Sequence, residues 1–241
     1  MLTLDQCLKN LSVGVLSNIS WGNDGNGSIR VDKVPTVVGH INEALLRLYT
    51  KFIIKKNTVF IELTENNTDY HLNSDHAWTN APEDYDEESC CCEYYIRDTF
   101  DNPFKDDVIK VLDVYSSTGH RLALNNDGNR WSVFTPVYDV LEVPNPVEGV
   151  ALAVMYQASH SILDFDKNPK ELIKLPPSLY GALYSYVAYL IYSDMNTQEA
   201  VVNAQKYLNF YNQIIQECID GDILSTTYSQ SNEKFSARGF I

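Results

Sequence analysis

The residues best suited to chemistry lie near the middle of the chain. His71 and His76 stand five apart in "HLNSDH", and Cys90, Cys91 and Cys92 follow as an unbroken triple. Imidazole and thiolate are ligands that zinc favours, so the group can be drawn as a metal site. Its spacing argues against one. The Cys-x-x-Cys knuckle that turns two sulfurs towards one ion is missing, and consecutive residues of an extended chain point to opposite sides. The cysteines sit within "PEDYDEESCCCE", which also holds Glu83, Asp84, Asp86, Glu87, Glu88 and Glu93. That run offers carboxylates for weak calcium binding but lacks the glycine of an EF-hand loop. It reads as a solvated acidic loop with free thiols. No metal and no cofactor are expected.

Catalytic groupings are equally sparse. Ser159 stands beside His160 in "YQASHSI", but adjacency does not make a dyad, and no Gly-x-Ser-x-Gly elbow occurs. The glycines of "WGNDGNGS", Trp21 to Ser28, lack the Gly-Lys-Ser/Thr of a phosphate loop. Thirty-two acidic residues offer many carboxylate pairs, and nothing singles one out. The chain reads as a non-enzyme.

The elements that hold these residues belong to an ordinary globular composition: 241 residues, 44% hydrophobic and 21% charged. That length suits one large domain or two small ones. A formal net charge of -14 argues against a protein that grips nucleic acid, since that affinity comes mainly from Lys and Arg. It permits a wall past which DNA slides, and it also serves plain solubility. Met1 to Asp5 shows no basic stretch leading into an apolar one, so no signal peptide is expected. Asn-x-Ser/Thr triplets such as those at Asn18, Asn26 and Asn66 then mean little as glycosylation acceptors. Five cysteines, with Cys7 and Cys218 added to the triple, do not form a disulfide framework and suit a reducing compartment.

Periodicity predicts a helix from Thr3 to about Ser17, with Thr3 and Gln6 as a capping box and Leu4, Leu8, Leu11 and Val15 as its apolar stripe. A second helix is expected over Gly39–Phe52, striped by Ile41, Leu45, Leu48 and Phe52. Strand patterns follow: Thr58–Leu63, with "YHL" pairing back, then Val108–Tyr115 in a hairpin with "HRLAL". Asn125–Asn129 is a tight turn, and "WSVFTP", "YDVLEVP" and "VALAVMYQASHSI" are extended runs punctuated by Pro136, Pro144 and Pro146. Helical periodicity returns at Pro176. Asn196 and Glu199 read as the cap of a last helix, whose seam is Val201, Ala204, Leu208, Tyr211, Ile215 and Cys218. The fold class is therefore α+β: a four-helix bundle-like domain with a mainly antiparallel β insertion and an extended C-terminal tail. Its parts are 1–56, 57–163, 164–220 and 221–241.

"PPSLYGALYSYVAYLIYSD", Pro176 to Asp194, is almost continuously apolar. Tyr180, Tyr184, Tyr186, Tyr189 and Tyr192 would each need a hydroxyl partner in a bilayer, and no Lys/Arg flank follows, so no membrane span is expected. Gly181, Ser185 and Ala188 form a narrow stripe where another helix can approach. Two readings remain: a core helix inside one chain, or a helix shared between copies. The apolar perimeter favours the second, with Tyr180, Tyr184, Tyr186, Tyr189, Tyr192 and Tyr211 as subunit-interface residues.

The phrases "VIKVLDVYSSTGHRLALNNDGNRWSVFTPVYDVLEVP", "GVALAVMYQASHSIL" and "LPPSLYGALYSYVAYLIYSDMNTQEAVVNAQKYLNFYNQII", with the order of elements, resemble the head-to-tail adaptor (connector) proteins of short-tailed bacteriophages. That group includes tail tubular protein A. The resemblance implies a virion structural protein at the head–tail junction, assembled in the bacterial cytoplasm. It implies a homo-oligomeric, twelvefold ring that joins the portal protein to tail nozzle or tail tube proteins. DNA would pass through it without specific binding. It also implies that the C-terminal tail engages a partner, and Phe235, Arg238, Phe240 and Ile241 are its anchors in this chain. Another phage neck or tail-completion protein would use the same elements, and a metal-binding module around His71 and His76 is a third reading. The acidic loop with its three cysteines matches no feature of that group.

Overall fold

The structure, a computed structural model, describes residues 2–17, 19, 21, 28–82, 94–195, 197–221 and 223–224. Among the described residues four α-helices mix with antiparallel sheets, an α+β composition. It divides into two compact units, Met1–Ala44 with Leu163–Ile241, and Leu45–Ile162. Residues 45–56, read from sequence as part of the helical segment, group with the strands. The cause is visible at the end of the second helix, where the Gln157 side-chain amide donates to the Tyr49 carbonyl and, at 3.2 Å, to that of Phe52.

In the first unit, α1 spans Leu4–Val13. The expected capping box forms: Thr3 Oγ1 accepts from the Gln6 N–H, and Gln6 Oε1 accepts from the Thr3 N–H, both at 3.3 Å. The helix stops short of Ser17 because the chain turns at Gly14, whose N–H bonds the Asn10 carbonyl at 2.9 Å. A Cβ on Gly14 would stand 2.8 Å from that carbonyl oxygen, so only glycine fits there without a shift. Strand β1 (Leu2–Thr3) pairs antiparallel with β8 (Leu172–Ile173). Helix α2, Val34–Lys51, starts five residues before the expected Gly39. Its added first turn holds Pro35, which the absent hydrogen-bond partners of a helix start tolerate. Asn42 clamps the returning chain: its Nδ2 donates to the Leu163 carbonyl at 3.0 Å, and its Oδ1 accepts the Leu163 N–H at 2.9 Å.

Helix α3 spans Tyr180–Ser193, entered through a 3₁₀ turn at Pro177–Leu179, and α4 spans Gln198–Asp220. The α4 cap is Thr197, whose hydroxyl accepts from the Ala200 N–H at 3.2 Å, in place of the expected Asn196, which lies outside the described residues. Threonine is also a favoured cap, though it ranks below asparagine. Thr197→Ala is expected to cost about 1 kcal/mol of stability, read as a lower thermal midpoint. The seam buries Ala204, Tyr211, Ile215 and Cys218, while Val201 points outward, 63% exposed.

The second unit is built on a four-stranded antiparallel sheet in the order β4-β2-β7-β5. Its strands are β2 (Lys56–Glu62), β4 (Ile96–Arg97), β5 (Val108–Ser116) and β7 (Ala151–Ala158). Strands β3 (Asp69–His71) and β6 (Val140–Glu142) form a separate ribbon. "YHL" therefore does not pair back on Thr58–Leu63, because β4 and β7 already occupy both edges of β2. Alternation places Val59, Ile61, Leu152, Val154 and Tyr156 on one sheet face, and the bulge between Val111 and Asp113 brings both Val111 and Val114 to it, in a common core with Tyr70, Leu72, Leu141 and Val143. Two phenols lock the backbone around this core. Tyr70 Oη bonds both N–H and carbonyl of Thr64, and Tyr95 Oη does the same at His71.

The hairpin after β5 closes through the Ser116 N–H to the His120 carbonyl and the Leu122 N–H to the Val114 carbonyl, at 2.9 and 2.8 Å. Asn125 takes a left-handed φ of 53° at the next turn, a conformation asparagine tolerates. "WSVFTP" forms isolated bridges at Val133 and Phe134 rather than a strand. Edge strand β5 is irregular twice, between Val108 and Lys110 and between Val111 and Asp113. Such bulges, with charged Lys110 and Asp113, blunt an edge against pairing with another sheet. The acidic loop, Cys90, Cys91, Cys92, and Phe235, Arg238, Phe240 and Ile241 of the tail lie outside the described residues.

Candidate functional site

The tyrosine-rich helix is held mainly by its own chain. The Tyr186 ring lies 4.9 Å from that of Tyr211 and 5.5 Å from that of Tyr189, centroid to centroid. Tyr192 stacks on Tyr207 at 5.5 Å. Close approach of α4 is permitted by the small-residue stripe: a Cβ on Gly181 would come within 3.1 Å of Ile214 Cδ1, while Ser185 and Ala188 are buried. Tyr186, Tyr192 and Tyr211 are only 5%, 6% and 3% exposed. Within the chain, α4 covers the Tyr186 and Tyr192 rings, and α3 covers that of Tyr211. Tyr180, Tyr184 and Tyr189 stay half-exposed, with the Tyr184 hydroxyl accepting from Asn10 Nδ2 at 3.0 Å. Among the described residues no helix is long and apolar enough to cross a membrane.

Helix α4 presents a face that the reading of apolar seams passed over. Its outermost positions, Gln198, Val202, Gln205, Asn209, Gln213 and Gln216, are all exposed and all uncharged. Exposed Phe210 flanks them. The signal in the sequence is an absence: from Leu175 to Gln216 the only charged residues are Asp194, Glu199 and Lys206.

A buried polar cluster sits where β2, β5 and β7 converge. Asp107 Oδ2 accepts from Lys55 Nζ at 2.7 Å and from Asn57 Nδ2 at 3.2 Å, and Oδ1 accepts from the Tyr156 hydroxyl at 2.9 Å. Lys55 Nζ also donates to the Ser159 carbonyl at 3.1 Å, and the Ser159 N–H donates to that of Asp107 at 2.7 Å. Both carboxylate oxygens are thus engaged by donors. This arrangement suits an anchor more than a catalytic base, which needs an oxygen open to substrate. Burial, then the Asp107 charge, push the Tyr156 phenol well above its ordinary value of 10.0. Burial does the same to Tyr95. The folded state therefore holds these protons more tightly than the unfolded chain. Stability is full below about pH 10 and falls as pH rises towards the folded values. A tyrosinate absorbance titration alongside circular dichroism should show these two phenols ionising together with unfolding.

The remaining candidates do not assemble. Ser159 Oγ reaches the His160 carbonyl at 3.4 Å, whereas the His160 ring contacts the Ser161 carbonyl through Nδ1 at 2.7 Å and lies edge-on to Tyr49. No Ser–His dyad forms between them. His71 and His76 do come together, ring centroids 6.0 Å apart, with His76 stacked on Tyr95 at 4.7 Å. Among the described residues no three His, Cys, Asp or Glu side chains are grouped to hold a metal ion. The chain matches no known family model and no curated protein.

Proposed function

We propose that the chain is a structural virion protein without catalytic activity, an adaptor subunit that joins a phage portal to its tail in a homo-oligomeric ring. The observation that carries this reading is the α3–α4 pair. It is a nearly charge-free helical surface with half-exposed tyrosines on a chain of net charge -14. Interfaces between proteins are depleted in charge and enriched in tyrosine and phenylalanine in this way. Ring contacts are heterologous, so two different faces of each copy must meet. Tyr180, Tyr184 and Tyr189 supply part of one face. In this reading α1 to α4 close into the bundle that faces the portal, the β unit faces the tail, and residues 221–241 engage a partner. The acidic balance lets DNA move through without sticking.

The test is negative-stain imaging and sizing of the purified full chain, alone and mixed with portal protein. Rings, alone or on portal, are expected. A chain that stays monomeric and ignores portal overturns the proposal. Binding to a tail nozzle protein but not to portal would make it a tail-completion protein instead.

A further inference from the structure

We infer that the uncharged outer stripe of α4 is the surface buried against the next copy of this chain, and that salt therefore controls assembly. This deepens the ring reading above and rests on it.

The argument begins with repulsion. Each copy carries a formal charge of -14, so two copies approaching through average surface meet like charge. A stable contact between them must use surface from which charge has been removed. Gln198, Val202, Gln205, Asn209, Gln213 and Gln216 lie at successive three- and four-residue steps, so they align along one side of the helix. The stripe runs for about 27 Å at the α-helical rise. The nearby charges Glu199, Lys206 and Glu217 fall on one flank, with Phe210, and only Asp220 continues the line at its end. An exposed helix face in an acidic protein ordinarily carries many charges.

The stripe is also prepared for desolvation. Gln205 Nε2 donates to Asn209 Oδ1 at 3.0 Å, and Gln213 Nε2 to Glu217 Oε1 at 2.9 Å. Gln216 Nε2 donates to Asp220 Oδ1 at 2.7 Å. Gln205 and Asn209 keep each other as partners when water leaves, which lowers the cost of burying them, whereas the carboxylates of Glu217 and Asp220 mark the C-terminal limit of the uncharged surface. Val202 on the stripe, with Val201 and Phe210 at its borders, adds exposed apolar area at 65%, 63% and 43%. A second copy is the occupant that this pattern fits: a basic partner would be recognised by acids, and the stripe has none before its last turn.

The experiment is sedimentation velocity on the full chain from about 0.01 M to about 1 M sodium chloride, over which the Debye length falls from about 30 Å to about 3 Å. Self-association is expected to strengthen with salt. The double variant Asn209→Glu with Gln213→Glu should weaken it at least about tenfold at fixed salt. Asn209→Lys, of similar bulk, should not weaken it. Both variants are at exposed positions and should keep the parent's circular dichroism, and the double variant, which lines up like charges at four-residue steps with Glu217, should lower the melting temperature only slightly. Association that weakens with salt, or that ignores the glutamates, overturns the inference and leaves the ring reading standing. So does a chain that is monomeric at every salt yet forms rings on portal. A chain that is monomeric throughout and also ignores portal removes the ring reading as well.

Discussion

Asp107→Ala is expected to destabilise the chain by about 3–5 kcal/mol, the range for removing the buried partner of an ion pair, with Lys55, 28% exposed, as the charge left behind. The substitution strips Lys55 of its 2.7 Å ion pair and leaves the Tyr156 hydroxyl and the Asn57 amide without their acceptor. Lys55 keeps the Ser159 carbonyl, so the loss should sit towards the lower end of that range. Lys55→Met, by contrast, removes the cation and leaves a carboxylate still hydrogen-bonded by Asn57 and Tyr156, and it should cost less. Urea unfolding of both variants checks the order. Equal and small losses would show that the cluster is not what ties Lys55, β2, β5 and β7 together.

Tyr186→Ala should cost about as much, 3–5 kcal/mol by the measure of buried aromatic truncations. The ring is 5% exposed and touches Tyr189 and Tyr211, so its loss opens a cavity between α3 and α4. Tyr180→Ala and Tyr189→Ala remove half-exposed rings and should cost under about 1.5 kcal/mol in the isolated chain. The comparison separates core from surface. If the half-exposed tyrosines serve assembly, their variants keep the monomer's melting temperature and lose the ring, whereas Tyr186→Ala melts early before any assembly is measured.

The local parts of this fold were legible because local rules set them. The Thr3–Gln6 capping box, the β2 and β7 alternations and the Asn125 turn all follow from neighbours within a few residues. The pairing of β3 with β6 was not, since it depends on β2 having lost both edges to strands far away in sequence. The same limit explains the tyrosines. Sequence showed that α3 is apolar all round, but not that α4 would cover Tyr186 and Tyr192, which depends on Gly181 admitting a close approach. The Asp107 cluster was also hidden. Lys55, Asn57, Asp107 and Tyr156 share no motif and meet only because three strands end together. The uncharged stripe of α4 could have been found by counting missing charges, a signal that a search for reactive groups overlooks.

Asn42 gripping Leu163 by both amide atoms has a consequence for how such a chain can change over time. The outgoing and returning segments are stapled side by side at the base of everything between Leu45 and Ile162. Whatever is threaded between those two points begins and finishes at neighbouring positions. The segment between them can therefore lengthen, shrink or be exchanged without parting Asn42 from Leu163.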